Sequence, residues 1–132
     1  MKRRTVLKSM LAGAGVAAAA VPAAAQTAKT IQLHCDLNVD PAKEAEAVKH
    51  FVANFRPTAA KQPGYIDVKL VKLRKEIQGK VGGNYNYRFV LTFQSEELRQ
   101  KWIASAEHQK VWPPIENALR DKNYTVILYD VN

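Results

Sequence analysis

Trp102, His108 and Trp112 bring both tryptophans and one of the three histidines of the chain into one short stretch. An imidazole takes or gives a proton near neutral pH, so His108 can act as a base. Indoles offer large rigid apolar faces able to flank a flat ring. All three lie in Ser95 to Leu119, SEELRQKWIASAEHQKVWPPIENAL. Its apolar positions run Leu98, Trp102 and Ile103, then Val111, Trp112, Ile115 and Leu119. Each set has helical spacing, but the two are out of phase. Ser105 is the natural break, because serine caps a helix well and Glu107 falls in the first turn that follows. Pro113 and Pro114 imply a second bend, with Trp112 pushed away from αR. The stretch reads as a helix in pieces whose joints carry the two indoles and the imidazole, and such a helix can wall a cavity. Two plainer readings stand beside it: the tryptophans are ordinary core, and His108 only caps or packs.

Cys35 is the only cysteine, so an intramolecular disulfide is impossible. It falls on the apolar face of a predicted strand, as a buried small hydrophobe or as a reactive thiol. His34 and Asp36 sit two apart on the polar face of that strand. They are too few to argue a metal site, and no metal is expected. His50 lies beside the apolar stripe of a predicted helix and reads as a helix-surface residue.

The elements that must position these groups follow from periodicity. Thr30 to Val39 alternates, with Ile31, Leu33, Cys35, Leu37 and Val39 on one face, as a half-buried strand does. Asp40-Pro41 starts a helix with Asp as N-cap and Pro at N1. Its stripe is Ala45, Val48, Phe51, Val52, Phe55 and Ala59, and Pro57 bends or interrupts it after Arg56. Pro63-Gly64 turns the chain. Tyr65 to Lys75 is a second strand with Ile66, Val68 and Leu70 on one face, and a phase slip at Leu70-Val71 suggests a β-bulge. Gly79 to Asn84 is a hairpin loop. Tyr85 to Gln94 is a third strand with Tyr85, Tyr87, Phe89, Leu91 and Phe93 on one face. After the broken helix, Tyr124 to Val131 is the last strand. The order β-α-β-β-α-β predicts an α+β, ferredoxin-like fold: a four-stranded antiparallel sheet with both helices on one face. The other face carries His34, Asp36, Lys69, Arg88 and Thr92 around Val90, a mixed surface that meets water or pairs with a second copy.

Composition bounds the function. Residues 1–25 have the form of an export signal: Lys2, Arg3, Arg4 and Lys8, an apolar run from Met10 to Val21, and Ala23-Ala24-Ala25 before Gln26. Arg3-Arg4-Thr5-Val6-Leu7-Lys8 resembles the twin-arginine signal, with Val6 where that motif prefers Phe, and the general secretory route stays open. Either route leads to a bacterial periplasm, with residues 26–132 as one domain. The apolar run is too short for a membrane span, and Cys35 is far from the cleavage site, so no stable membrane anchor is expected. Removing residues 1–25, with four basic and no acidic residues, lowers the formal charge from +8 to +4. Lys72, Arg74, Lys75 and Lys80 are the densest basic group. That is no phosphate-contacting stripe, so nucleic-acid binding is not expected.

The residues now resemble a known family. The element order, Pro63-Gly64-Tyr65 entering strand two, and Phe93-Gln94-Ser95-Glu96-Glu97 leading to Trp102-x-x-Ser105-x-x-His108 are similar to the antibiotic biosynthesis monooxygenase (ABM) domain. The likeness spans nearly all of residues 26–132. It implies a homodimeric α/β barrel made by two sheets closing face to face. Family members include cofactor-independent oxygenases of quinols and polyketide aromatics, haem-degrading enzymes, and proteins without known activity. Trp102 and His108 match the family's tryptophan and histidine in the pocket-walling helix. The haem-degrading members need an asparagine on the first strand, where this chain has Cys35. Their histidine falls ten positions after the tryptophan, at Trp112 here. Both departures argue against haem degradation. The resemblance therefore implies an oxygenase without cofactor, taking a small aromatic and O₂. His108 and Trp102 are then the catalytic candidates, and Trp112, Tyr87, Phe55 and Cys35 the substrate-binding candidates. A binding module without catalysis, or a scaffold with a filled pocket, are the alternatives.

Overall fold

Alternate residues of β1, Ile31–Leu37, are buried, as its period-two pattern requires. The computed structural model describes residues 29–132, and the expected export segment lies outside the described residues. The remaining strands are β2 (Tyr65–Lys72), β3 (Tyr87–Phe93) and β4 (Thr125–Asp130). They form one sheet in the order β2-β3-β1-β4, each neighbour antiparallel. In register, Leu33 faces Leu91, Cys35 faces Phe89 and Leu37 faces Tyr87. The β-α-β-β-α-β order and antiparallel sheet expected from the sequence are therefore present. All four strands are shorter than expected: the first spans Ile31–Leu37, the second stops at Lys72, the third runs Tyr87–Phe93 and the last Thr125–Asp130.

The first helical stretch runs from α1 (Glu44–His50) through a π-helical turn, Phe51–Phe55, into α2 (Arg56–Ala59). Asp40 caps the turn before it, its Oδ1 accepting from the Ala42 N–H at 3.0 Å, and the α-helix proper begins at Glu44. Pro57 does not break the helix. It sits at the start of α2, where the π turn has already widened the backbone, with the Arg56 N–H reaching Phe51 O. The wider turn also resets the buried row to Ala47, Phe51, Phe55 and Ala59, while Ala45 and Val52 of the expected stripe face solvent. Phe51 and Phe55 stack at 5.7 Å.

The second stretch comprises α3 (Glu96–Ala104), α4 (Ala106–Val111) and α5 (Pro113–Glu116). Ser95 caps α3, accepting from the Leu98 N–H. The break falls at Ser105, as expected, with extended ψ of 153°. The second break also falls where expected, as a bend at Trp112 between α4 and α5, but the residue is not pushed out of helical geometry. Trp112 keeps αR geometry (φ −78°, ψ −45°), and the Ile115 and Glu116 N–H groups bond to its carbonyl. Both prolines occupy the first turn of α5, where an N–H is dispensable. Phe89 touches Phe55 from one stretch and Trp112 from the other, so both cover the same sheet face. The end of α5 is tied to β1 by Asp40 N–H to Ala118 O and Arg120 N–H to Asn38 O.

The bulge in β2 lies between Tyr65 and Asp67, not at Leu70-Val71. It turns Ile66 outward, so only Val68 and Leu70 keep the inner face. Strand β4 is an edge strand whose Val126 to Tyr129 are all exposed. Among the described residues no helix is long and apolar enough to cross a membrane.

Gly64 shows how tightly the turn into β2 is set. It has φ of 88°, and a Cβ there would meet Leu98 Cδ1 at 2.6 Å and Leu98 Cβ at 2.9 Å. Gly79 has a similar φ of 78° but open space around it. Gly79→Ala should cost about 1 kcal/mol, the conformational part alone. Gly64→Ala should cost about 2–4 kcal/mol, because overpacking against α3 is added. Urea unfolding midpoints of the two variants test this, and equal losses would remove the Leu98 contact from the account.

Candidate functional site

Ser105 arranges the aromatic cluster. Its hydroxyl donates to the Trp102 carbonyl at 2.6 Å and accepts from the His108 N–H at 3.2 Å, closing α3 and opening α4. The Trp102 and His108 rings thereby stand perpendicular at 5.0 Å. His108 lies parallel to Trp112 at 6.2 Å. Phe55 meets the edges of both indoles, at 5.9 Å and 6.1 Å.

A cavity of about 250 Å³ lies beneath these rings. Its floor is the inner sheet face: Leu33 and Cys35 of β1, Phe89 and Leu91 of β3, and Val126 of β4. Its walls are Phe55, then Arg99, Trp102 and Ile103 of α3, then His108, Trp112 and Tyr124. Val126 is both exposed and on the wall, so the cavity opens along the β4 edge. Two larger recesses are surface grooves of different character. One, about 560 Å³, runs between α1 and α5 beside His50. The other, about 610 Å³, lies under the β2–β3 loop.

Five sequence-selected residues thus meet at one cavity: Trp102, His108, Trp112, Phe55 and Cys35. Tyr87 does not join them. It shares the inner face but stands one residue pair further along β3, under the start of α1. There its hydroxyl donates to Glu44 at 2.5 Å, and Lys72 pairs with the same carboxylate at 2.6 Å. Burial, with Glu44 adding to it, pushes the Tyr87 phenol up to about 12. Strand alternation gives the face of a residue but not which helix covers it, and that is why the sequence grouped Tyr87 with the indoles.

The polar atoms of the cavity divide into satisfied and unsatisfied. Trp112 Nε1 donates to Tyr124 Oη at 3.2 Å, and Tyr124 donates onward to Glu116 at 2.9 Å. By contrast Trp102 Nε1 and His108 Nδ1 are buried without a partner. Trp102 is only 1% exposed. Burial pushes the Cys35 thiol up to about 12, with Asp36 adding and Arg99 opposing, so it is a neutral S–H and no nucleophile. Burial, helped by the Arg99 charge, lowers the proton affinity of His108, so its ring is neutral at pH 7.

Arg99 and Tyr124 were missed by the sequence reading. Arg99 had a signal: it stands three before Trp102 on α3, hence on the same side of the helix. Tyr124 had none, since its place follows from where β4 docks. His50 was read as a surface residue, yet its Nε2 contacts Val111 O at 2.8 Å and its Nδ1 contacts the Asn54 amide at 3.0 Å. It pins the π turn to the end of α4. On the outer face, His34 bonds Gln32 at 2.7 Å, while Asp36 takes Arg88 at 2.7 Å and 3.2 Å. Among the described residues no three His, Cys, Asp or Glu side chains cluster as metal ligands do.

Neither a protein-family profile nor a curated protein matches the sequence. Solved structures do. A dimeric ferredoxin-like protein of unknown function from Jannaschia sp. is 16% identical, with 77% of this chain and 99% of that one covered and a TM-score of 0.65. A proposed antibiotic biosynthesis monooxygenase from Caulobacter crescentus is 17% identical, covering 80% and 92%, TM-score 0.63. SnoaB, a cofactor-independent oxygenase from Streptomyces nogalater, is 14% identical, covering 79% and 94%, TM-score 0.61. The chain has the ABM-like, ferredoxin-like α+β fold of these proteins.

Two half-buried imidazoles give a pH dependence. His34 is also held below its ordinary value, by burial and Arg88 against the pull of Asp36. In the unfolded chain both return to about 6.5. Below that pH the unfolded chain binds protons first, so stability falls as pH drops through 6.5. Glu44 and Glu96, lowered by Lys72 and Arg99 respectively, act only below 4.5. His108→Asn should therefore flatten the loss of stability between about pH 7 and pH 5. Melting temperatures across that range test it, and an unchanged slope would show His108 to be accessible to protons.

Proposed function

We propose that this chain is a cofactor-independent monooxygenase of the ABM type, acting on a quinol or other small aromatic with O₂. One observation carries the reading: two buried polar atoms, Trp102 Nε1 and His108 Nδ1, stand unpartnered beside a cavity walled by aromatic rings. Leaving such atoms unpaired costs about 1–3 kcal/mol each, and a phenolic hydroxyl satisfies an acceptor and a donor at once.

In this reading His108, neutral at rest, takes the phenol proton. The Trp102 N–H donates to the oxyanion that develops. The electron-rich ring then reduces O₂. One oxygen atom bonds to a ring carbon, and the other leaves as water with two substrate hydrogens, so the ring ends as a quinone. The surrounding apolar walls keep bulk water from the anion.

A second reading, binding without turnover, has its own support. The same burial that keeps His108 neutral weakens it as a base. Oxygen uptake over a panel of quinols tests both. Wild type should consume O₂ with at least one quinol, and His108→Ala should be about 100-fold slower. Equal rates would take His108 out of the mechanism. Quinols that raise the melting temperature with no uptake would favour the binding module.

The working form is, in this reading, an exported homodimer. Ile127 and Tyr129 of β4 stand exposed beside Val90 and His34 on the outer sheet face, an apolar strip that a second sheet would cover. Protein recovered from a periplasmic extract should begin at Gln26 and show twice the chain mass by light scattering. A start at Met1 would overturn export, and a monomeric mass at micromolar concentration the dimer.

A further inference from the structure

Arg99 is the one charged side chain on the cavity wall among the described residues. It is largely buried, with 16% of its side chain exposed. Its Nε and Nη2 hold the two oxygens of Glu96 at 2.6 Å and 2.7 Å, which fixes the guanidinium plane. Glu96 also accepts from Gln100 and does not line the cavity. The cavity is therefore lined by Arg99 and not by its partner. The charge is felt there, since it pulls down the proton affinities of both Cys35 and His108.

The rest of the wall points the same way. The Trp102 N–H is a buried donor without an acceptor. The Cys35 thiol keeps its proton. The Tyr124 hydroxyl spends its proton on Glu116. No carboxylate lines the space. His108 Nδ1 is the one open acceptor on the wall, so donors and positive charge outnumber acceptors, and the chemistry lacking in the cavity is that of an anion. Its volume, about 250 Å³, lies below the usual range of about 300–1,000 Å³ for small-molecule sites. A small fused aromatic ring system fits such a space.

We infer that the cavity selects an aromatic anion, with Arg99 as the specificity-determining residue that binds the charged substituent while the indoles of Trp102 and Trp112 flank the ring. This rests on the cavity being the ligand site proposed above, and adds the charge of what enters.

The test uses 2-naphthoate and its uncharged amide, 2-naphthamide, neither of which has a phenolic hydroxyl to oxidise. Trp102 and Trp112 are the only tryptophans and both line the cavity, so quenching of indole emission reports binding. Wild type should bind naphthoate about 10- to 100-fold tighter than naphthamide, the range for a hydrogen bond to a charged group. Arg99→Gln should abolish the preference, and Arg99→Lys should retain part of it. Equal affinities in wild type, absence of binding by naphthoate, or a preference that survives Arg99→Gln in a protein with native circular dichroism would each overturn the inference. The wild-type comparison decides even if the variants do not fold. Because no turnover is read, failure of oxygen uptake leaves this result standing, and failure here leaves a neutral quinol as substrate.

Discussion

A single serine hydroxyl holds the aromatic cluster in its working geometry. In an unbroken helix, six residues carry His108 about 120° around the axis from Trp102. The two rings would then look in different directions. Ser105 prevents this by bonding at once to the last carbonyl of α3 and to an early amide of α4. The backbone turns through one extended residue, the helical phase resets, and the imidazole comes back over the indole edge. Trp112, carried on by α4, closes the stack from the far side. The places of His108 and Trp112 on the cavity wall depend on that reset.

The opposite helical stretch solves a related problem in another way. Pro57 would clash with the carbonyl four residues back in a regular α-helix. The π turn at Phe51–Phe55 widens the backbone before the proline arrives, so the helix survives it. The same turn places Phe51 and Phe55 in one row over Phe89. His50, with one nitrogen toward Val111 O and the other toward Asn54, couples this turn to the C-terminal helices. Two local irregularities, one on each side of the cavity, are thus linked through the His50 imidazole.

Much of the fold was legible in the chain, and the errors are instructive. Strand alternation marked Ile31–Leu37 and Tyr87–Phe93 correctly because the sheet buries one face completely. It misjudged Ile66, because a bulge two residues into β2 shifts the face and local pattern does not locate a bulge that pairing imposes. The expected stripe failed at Val52 because a period of 3.6 was assumed where the π turn lengthens it, and at Ala45, which faces solvent in the regular turn before it. Trp112 kept helical geometry before Pro113 because burial of its indole against Phe89 and Phe55 outweighs a steric preference of the preceding residue. At the site, the sequence found the residues whose types are rare or whose spacing is helical. It missed Arg99, an ordinary helix residue until a cavity is seen beside it, and it assigned Tyr87 to a place that Glu44 and Lys72 claim.

The sequence by itself determined the order of elements, the inner face of the central strands, and the break at Ser105. These follow from side-chain periodicity and from a capping hydroxyl, which act over a few residues. Only the tertiary structure decided which inner-face residues lie under which helix, where space remains between them, and which charge looks into it. Those are set by how two helical stretches pack on one sheet, and packing joins residues as distant as Cys35, Arg99 and Tyr124 whose spacing along the chain carries no trace of their meeting.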